Sequence, residues 1–214
     1  ASARALRRNL TSDSDEFPSD VLELMDYFKP YSGHGIRAVP ANDSTVPVWI
    51  LGSSTYGAQV AAEFGLPYAF ASHFAPAQMM QAIDIYRARF KPSAQLAKPH
   101  VMLGFNVFAA DTDEEAVLMA SSMQQAFVNL RTGRASLLQP PVPGYLAQLP
   151  PDARAMLDHT LSSSAIGSRA TVAAAMEAFI ERTGADELMI ASQIFDHDAR
   201  LRSYEILAEI SQPV

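Results

Sequence analysis

VPVWILGSSTYGAQVAAEFGLPYAFASHF, residues 46–74, reads as strand, tight turn, helix and second strand with almost no residue to spare. Val48, Trp49, Ile50 and Leu51 form a continuous apolar run, the pattern of a parallel strand covered on both faces. Gly52-Ser53-Ser54 follows where the backbone must turn sharply, and a helix is expected over 55–64. Such a βαβ unit aims the free amides of the helix start back at the turn. Those amides plus two hydroxyls favour a dianion, and a phosphate ester is the usual occupant. On its own the turn is a weak motif, because glycine and serine gather wherever a βα connection is tight.

Outward from this unit the chain alternates short apolar runs with amphipathic stretches, the pattern of a parallel sheet wrapped by helices. Strands are expected over 46–51, 67–71, 100–109 and 187–192, and helices over 19–28, 55–64, 75–90, 112–131 and 168–183. Four strands cannot close an eight-stranded barrel. Local signals set the boundaries: Pro18 opens the first helix, and Asp111-Thr112-Asp113-Glu114-Glu115 puts a cap and carboxylates at a helix start. Met79, Met80, Ile83, Tyr86 and Phe90 recur at helical spacing, which marks core packing. Asp196 or Asp198 caps a last helix whose apolar side is Leu201, Tyr204, Ile206 and Leu207. The chain is read as one domain with a proline-rich loop insertion over 133–151, whose prolines oppose regular structure. That loop is long enough for a lid, or for an excursion that makes subunit contacts.

Composition narrows the function. The chain has 214 residues, 49% hydrophobic, enough for one ordinary core. With no cysteine, neither a disulfide framework nor a thiolate site is available. A formal net charge of −7 argues against nucleic-acid binding, which demands clustered Lys and Arg. The one basic cluster, Arg4, Arg7 and Arg8, reads as a solvated helix face. No apolar run reaches the ~20 residues of a membrane span, and residues 1–10 lack the apolar core of a signal peptide. His34, His100, His159 and His197 show no zinc spacing, so no metal site is expected. The expected setting is cytoplasmic.

ILGSSTYGAQVAAEFGLPYAFASHF, with KPHVMLGFNVFAADTDEEA downstream and TGADELMIAS and DHDARLRSYEILAE near the end, resembles the bacterial luciferase-like family of flavin-dependent monooxygenases. The likeness runs through nearly the whole chain in the family's order. It implies an α/β fold, the C-terminal half of a (β/α)8 TIM barrel, with the strands of the first half preceding Ala1. It also implies reduced FMN as cofactor, supplied by a flavin reductase, with O2 and a small organic molecule as substrates. Ser53 and Ser54 match the family's phosphate-holding turn, with Gly57 opposite; Gly52 would allow close backbone approach and Tyr56 would wall the site. The family's arginine from the fourth strand region has no counterpart here.

The second strand ends in Phe70-Ala71-Ser72-His73-Phe74, at the carboxyl edge where barrel enzymes place chemistry. Ser72 and His73 are therefore candidates to face substrate or flavin ring, against the commoner structural role of a lone histidine. Asn106 shares a strand face with Gly104 and either points an amide toward the barrel mouth or is satisfied by neighbouring backbone. No residue has the profile of an essential nucleophile, so no catalytic residue is assigned. The reading is a flavin-dependent monooxygenase, inactive if isolated from its first strands. A non-catalytic flavin- or phosphate-binding fragment is the alternative. An isomerase or aldolase half-barrel is disfavoured, because the strand ends offer only Ser, His and Asn. An open sheet is expected to find cover, by self-association or by an N-terminal half of the barrel.

Overall fold

The structure is a computed structural model that describes residues 16–33, 37–134 and 136–211. The chain divides into two compact units, Ala1–Val48 and Trp49–Val214. In the first, helix α1 (Phe17–Phe28) opens with Pro18 in its first turn, where the missing N–H of proline costs nothing, and Val21 is its buried residue. Arg4, Arg7, Arg8 and His34 lie outside the described residues.

The second unit holds strands β1 (Ile50–Gly52), β2 (Tyr68–Phe70), β3 (Val101–Ala109), β4 (Ser164–Gly167) and β5 (Glu187–Ala191). Between and after them lie helices α2 (Thr55–Phe64), α3 (Met79–Arg89), α4 (Asp113–Arg131), α5 (Tyr145–Gln148), α6 (Pro151–Thr160), α7 (Arg169–Thr183) and α8 (His197–Ser211). Every strand pair is parallel. This is an α/β fold in which parallel strands alternate with helices, as in the second half of a (β/α)8 barrel.

β3 organises the sheet. β2 pairs with its first residues, Val101 to Leu103, and β5 pairs with Met102 to Asn106. Because Met102 and Leu103 bond both, β2 and β5 lie on opposite edges. Asn106 pairs with both β4 and β5, so β4 falls on the β2 side and continues that lane toward the carboxyl end. The five strands therefore occupy four lanes.

The two faces of the sheet differ. Side chains alternate along a strand, so the register places Ile50, Tyr68 and Val101 on one face and Leu51, Ala69 and Met102 on the other. Helices cover the first face: Gly57 of α2 packs on Ile50 and Tyr68, and Phe105 meets Phe179 of α7 at a ring separation of 4.6 Å. On the second face Leu51 is 69% exposed and Met189 58%. Phe108 belongs to that face by alternation and packs with Met123 and Phe127 of α4, Leu157 of α6 and Ile194. Helices α4 and α6 thus roof the carboxyl end and leave the lower part of the face bare.

Several boundaries depart from the sequence reading. The strand expected from 46 starts at Ile50: Pro47 has no N–H for a ladder, Val46 is exposed, and Ile50 N–H donates to the Pro67 carbonyl at 3.1 Å. The helix expected over 75–90 begins as a short 3-10 turn, Pro76–Gln78, and becomes α-helical at Met79. Its stripe buries Met79, Ile83 and Tyr86 but leaves Met80 exposed. Leu201 and Tyr204 are likewise exposed, and α8 packs through Ile206 and Leu207. Within 133–151 the four-residue α5 forms after Gly144, and α6 opens at Pro151. Proline there starts a helix rather than preventing one. β4 was not expected, because Ser164–Gly167 is short and made of small residues apart from Ile166. Among the described residues no helix is long and apolar enough to cross a membrane.

Gly65 ends α2 in the left-handed region at φ +61, and a Cβ there would lie 2.4 Å from the Lys91 carbonyl oxygen. Gly65→Ala is expected to destabilise the fold by more than the ~1–2 kcal/mol of handedness alone, because the obstructing atom is backbone. Chemical denaturation of the two proteins measures this; equal midpoints would contradict it.

Candidate functional site

β1 ends at Gly52, and Ser53 and Ser54 carry the chain, exposed, into α2. Ser54 is the N-cap residue with extended backbone, yet its hydroxyl accepts no bond from the first turn. Its carbonyl is fixed instead: Tyr68, deep in β2, donates its hydroxyl to Ser54 O at 3.0 Å. Burial pushes the Tyr68 phenol well above the usual tyrosine range, so it remains a neutral donor. A second tie runs from Ala71 N–H to the Gly52 carbonyl at 2.9 Å. The Gly52 and Ser54 carbonyls are thereby drawn toward β2, which holds the turn in place. Tyr68 was not singled out in the sequence; a tyrosine inside a buried strand run signals that its hydroxyl must find a partner.

The start of α2 contrasts with those of α4, α7 and α8, whereas α3, after β2, likewise has no side-chain cap and no acidic residue in its first turn. Thr112 caps α4, its hydroxyl accepting from Glu115 N–H at 3.2 Å, and three carboxylates sit in the first turn. Asp196 caps α8 through Ala199 N–H at 2.9 Å. Asp113 reaches across to α7 and accepts from Ser168 N–H at 2.6 Å. The Ser168 amide, then the Thr171 and Ser168 hydroxyls, hold the Asp113 carboxyl below the usual carboxylate range. Each of these positive helix ends faces an oxygen of the protein itself, and α7 faces a carboxylate. The first turn of α2 contains no acidic residue and no capping bond from Ser54.

Gly52 and Gly57 face each other across this turn. A Cβ on Gly52 would stand 3.8 Å from Gly57 Cα and 3.9 Å from the Tyr68 hydroxyl, and one on Gly57 would meet Ile50 and Tyr68 at 3.5 Å. These are ordinary contacts, so neighbouring protein atoms do not demand glycine at either position. What Gly52 provides is bare backbone beside the turn. Tyr56 stands next to it, 39% exposed.

The lane beside the turn carries Ser72 and His73. Ser72 is fully buried and its hydroxyl is taken up by the Gly104 carbonyl at 2.7 Å, latching the end of β2 to β3. His73 lies across β3: a Cβ on Gly104 would sit 2.0 Å from its Nδ1, so only glycine leaves room for the ring. The Asn106 amide donates to the His73 carbonyl at 2.5 Å and to the Ser164 hydroxyl at 3.4 Å. That donation fixes which end of the amide is nitrogen. Asn106 Oδ1 is then an acceptor with no donor, and His73 Nδ1 is likewise buried without a partner. Burial lowers the His73 pKa from the usual imidazole range. Asn106 thus has one end satisfied by backbone and the other unsatisfied.

A separate cavity of about 270 Å³ lies at the end of β3, between Ala109, Leu118, Met119 and Ala199, with Arg202 at its rim. The guanidinium is held by Asp111 at 2.9 Å and by Glu205 and Glu209. Among the described residues no group of three or more His, Asp or Glu side chains could hold a metal ion.

Gly104→Ala is expected to push the His73 ring off β3 and raise its pKa back toward the ordinary value, as read by NMR titration of the imidazole. In the wild type the sign follows from linkage: the unfolded chain takes up the proton first as pH falls below the usual histidine range. Stability contributed by neutral, buried His73 is therefore present above that range and lost as pH drops toward the lowered native value. An unchanged titration in the alanine variant would contradict the packing.

A family model described as luciferase-like monooxygenase matches residues 4–187. A protein from Escherichia coli strain K12, described as a luciferase-like monooxygenase, is 44% identical over 209 residues, which is 97% of this chain and 62% of that protein. The chain therefore spans about three fifths of the length of such relatives. Among solved structures, apo-MsnO8 aligns with a TM-score of 0.75 at 30% identity, covering 92% of this chain and 61% of that one. The oxygenating constituent of 3,6-diketocamphane monooxygenase from Pseudomonas putida, solved in complex with FMN, shares the fold with a TM-score of 0.53 at 16% identity, over 95% of this chain and 64% of that one. By the family model and the sequence identity of its relatives, the chain belongs to the luciferase-like monooxygenase family.

Proposed function

We propose that the protein acts as a flavin-dependent monooxygenase, with FMN as the flavin and its phosphate held at the start of α2. The observation that carries this reading is the conjunction, at the carboxyl edge of the sheet, of Gly52, two exposed serines and a first turn of α2 that has no acidic residue and no capping bond from Ser54, where α4 and α8 are capped by the protein and α7 faces the Asp113 carboxylate. The residues present suit the group. Ser53 and Ser54 offer two hydroxyls, the first amides of α2 offer a positive helix end, and Gly52 leaves backbone that a Cβ would cover. Tyr56 and Gly57 complete the wall and floor of the turn. The net charge of −7 keeps this local positive field from being one patch of a generally basic surface.

When bound, reduced FMN supplies the two electrons by which one atom of O2 enters an organic substrate and the other leaves as water. The chain binds, orients and shields. Tyr68 holds the turn through Ser54 O, Ser72 latches β2 to β3, and the apolar roof of Phe108, Met123, Phe127 and Leu157 keeps water from the carboxyl end of the sheet. His73, on the same face, is placed to meet the substrate or the flavin ring; Ser72 contributes by positioning it. A partner reductase supplies the reduced flavin.

The bare face around Leu51 and Met189 needs cover before such a site is dry. In this reading further strands of the same barrel, or a second copy, provide it. Sedimentation of the purified chain is expected to give more than 23.2 kDa, and a clean monomer would contradict this part of the proposal.

Replacing Ser53 and Ser54 together by Ala is expected to weaken FMN binding by about 1–3 kcal/mol, the range for lost hydrogen bonds to a charged group. Quenching of flavin fluorescence measures it. Unchanged affinity would remove the turn from the phosphate site.

A further inference from the structure

Two buried polar atoms beside the turn lack partners, and they lie within one residue pair. Asn106 is wholly buried, and its Nδ2 is fixed by the His73 carbonyl, which leaves Oδ1 as an acceptor without a donor. His73 Nδ1 is the second, held over Gly104 with only a ring contact to Phe74 at 5.1 Å. Leaving such atoms unpaired disfavours the arrangement, and unpaired buried groups of this kind mark places where a missing partner belongs. Neither is an isolated packing fault: Gly104 is the residue that admits the ring, and Asn106 binds the same His73 through its backbone.

The site is neutral. No Lys, Arg, Asp or Glu hydrogen-bonds to either side chain among the described residues. Its offer is one amide acceptor and one imidazole nitrogen, which in the Nδ1–H tautomer is a donor. An acceptor and a donor carried by one linked residue pair match in kind the two atoms of a –CO–NH– edge, whose N–H would meet Asn106 Oδ1 and whose carbonyl would meet His73 Nδ1. Ser53 lies one lane from the His73 lane and two from β3, a span of about 10 Å at the usual strand spacing. A single ligand can reach from the phosphate turn to this pair.

From these observations we infer that His73 and Asn106 form a neutral clip for an amide or imide edge, which opens when the imidazole turns off Gly104 and closes by pairing both atoms with the ligand. The inference rests on the flavin reading of the adjacent turn. The pyrimidine-type ring of a flavin carries this edge, and so would an organic substrate containing a cyclic imide or lactam.

The test uses His73→Phe, Asn106→Leu and the Ser53/Ser54 double alanine variant, with FMN, riboflavin and succinimide as probes. His73→Phe removes an unpartnered nitrogen but keeps a ring on Gly104, so its melting temperature is expected to stay level or rise. Each clip variant is expected to weaken FMN and riboflavin alike by about tenfold, the worth of one hydrogen bond. The double alanine variant is expected to weaken FMN alone, because riboflavin has no phosphate. Should flavin affinities hold in the clip variants while succinimide shifts the wild-type His73 imidazole resonances and not those of Asn106→Leu, the edge belongs to the substrate. If flavin affinities hold and succinimide shifts nothing, or if His73→Phe markedly destabilises the fold, the clip is overturned. Failure of the wild type to bind FMN would instead overturn the flavin reading.

Discussion

The parallel pairing of β3 on both edges is the constraint from which the rest follows. Its nine residues are bonded by β2 and β4 along one side and β5 along the other, so its position cannot shift without breaking three ladders. Register in a sheet is a two-valued choice of face: a slip of one residue would send Gly104 and Asn106 among the helices and turn Leu103 and Phe105 to the bare side. The contact of Phe105 with Phe179, and the full burial of Val101, Leu103 and Val107, oppose that slip. The site therefore inherits its geometry from core packing on the opposite face. Tyr68 links the two sides of this arrangement, because its ring packs under Gly57 while its hydroxyl fixes the Ser54 carbonyl at the turn.

Electrostatics then sort the helix starts. A positive end that meets Asp113, Asp196 or the Thr112 hydroxyl is satisfied within the protein. The starts of α2 and α3 have neither a side-chain cap nor an acidic residue in the first turn, and in the proposed reading it is the α2 end, beside Ser53 and Ser54, that serves a ligand. Beside it the chemistry is different in kind: Asn106 and His73 carry no charge at neutral pH, since burial holds the imidazole below its usual pKa. A charged anchor next to a neutral hydrogen-bonding pair suits a ligand with a dianionic tail and an uncharged ring.

The βαβ unit was legible because each of its signals is local. An apolar run, Gly-Ser-Ser, a ten-residue helix and a glycine stop lie within about twenty residues, and α2 falls at 55–64 as read. The likeness to luciferase-like proteins was carried by the same residues together with stretches 98–116, 183–192 and 196–209. β4 was not legible, because Ser-Ala-Ile-Gly has no period of its own and becomes a strand only where β3 offers an edge. α6 was masked by the prolines that open it. The unpaired atoms of His73 and Asn106 could not be read either: the sequence places them 33 positions apart, and only the register brings the imidazole over Gly104. Residue type suggested polarity at these positions, while pairing had to come from three dimensions.

A crystal structure of the protein grown with FMN tests the central claim most directly. The account predicts the phosphate within hydrogen-bonding distance of the Ser53 and Ser54 hydroxyls and the first amides of α2, with the ring on the face that bears His73 and Asn106. A phosphate seated instead against Arg202, in the cavity at the end of β3, would contradict it.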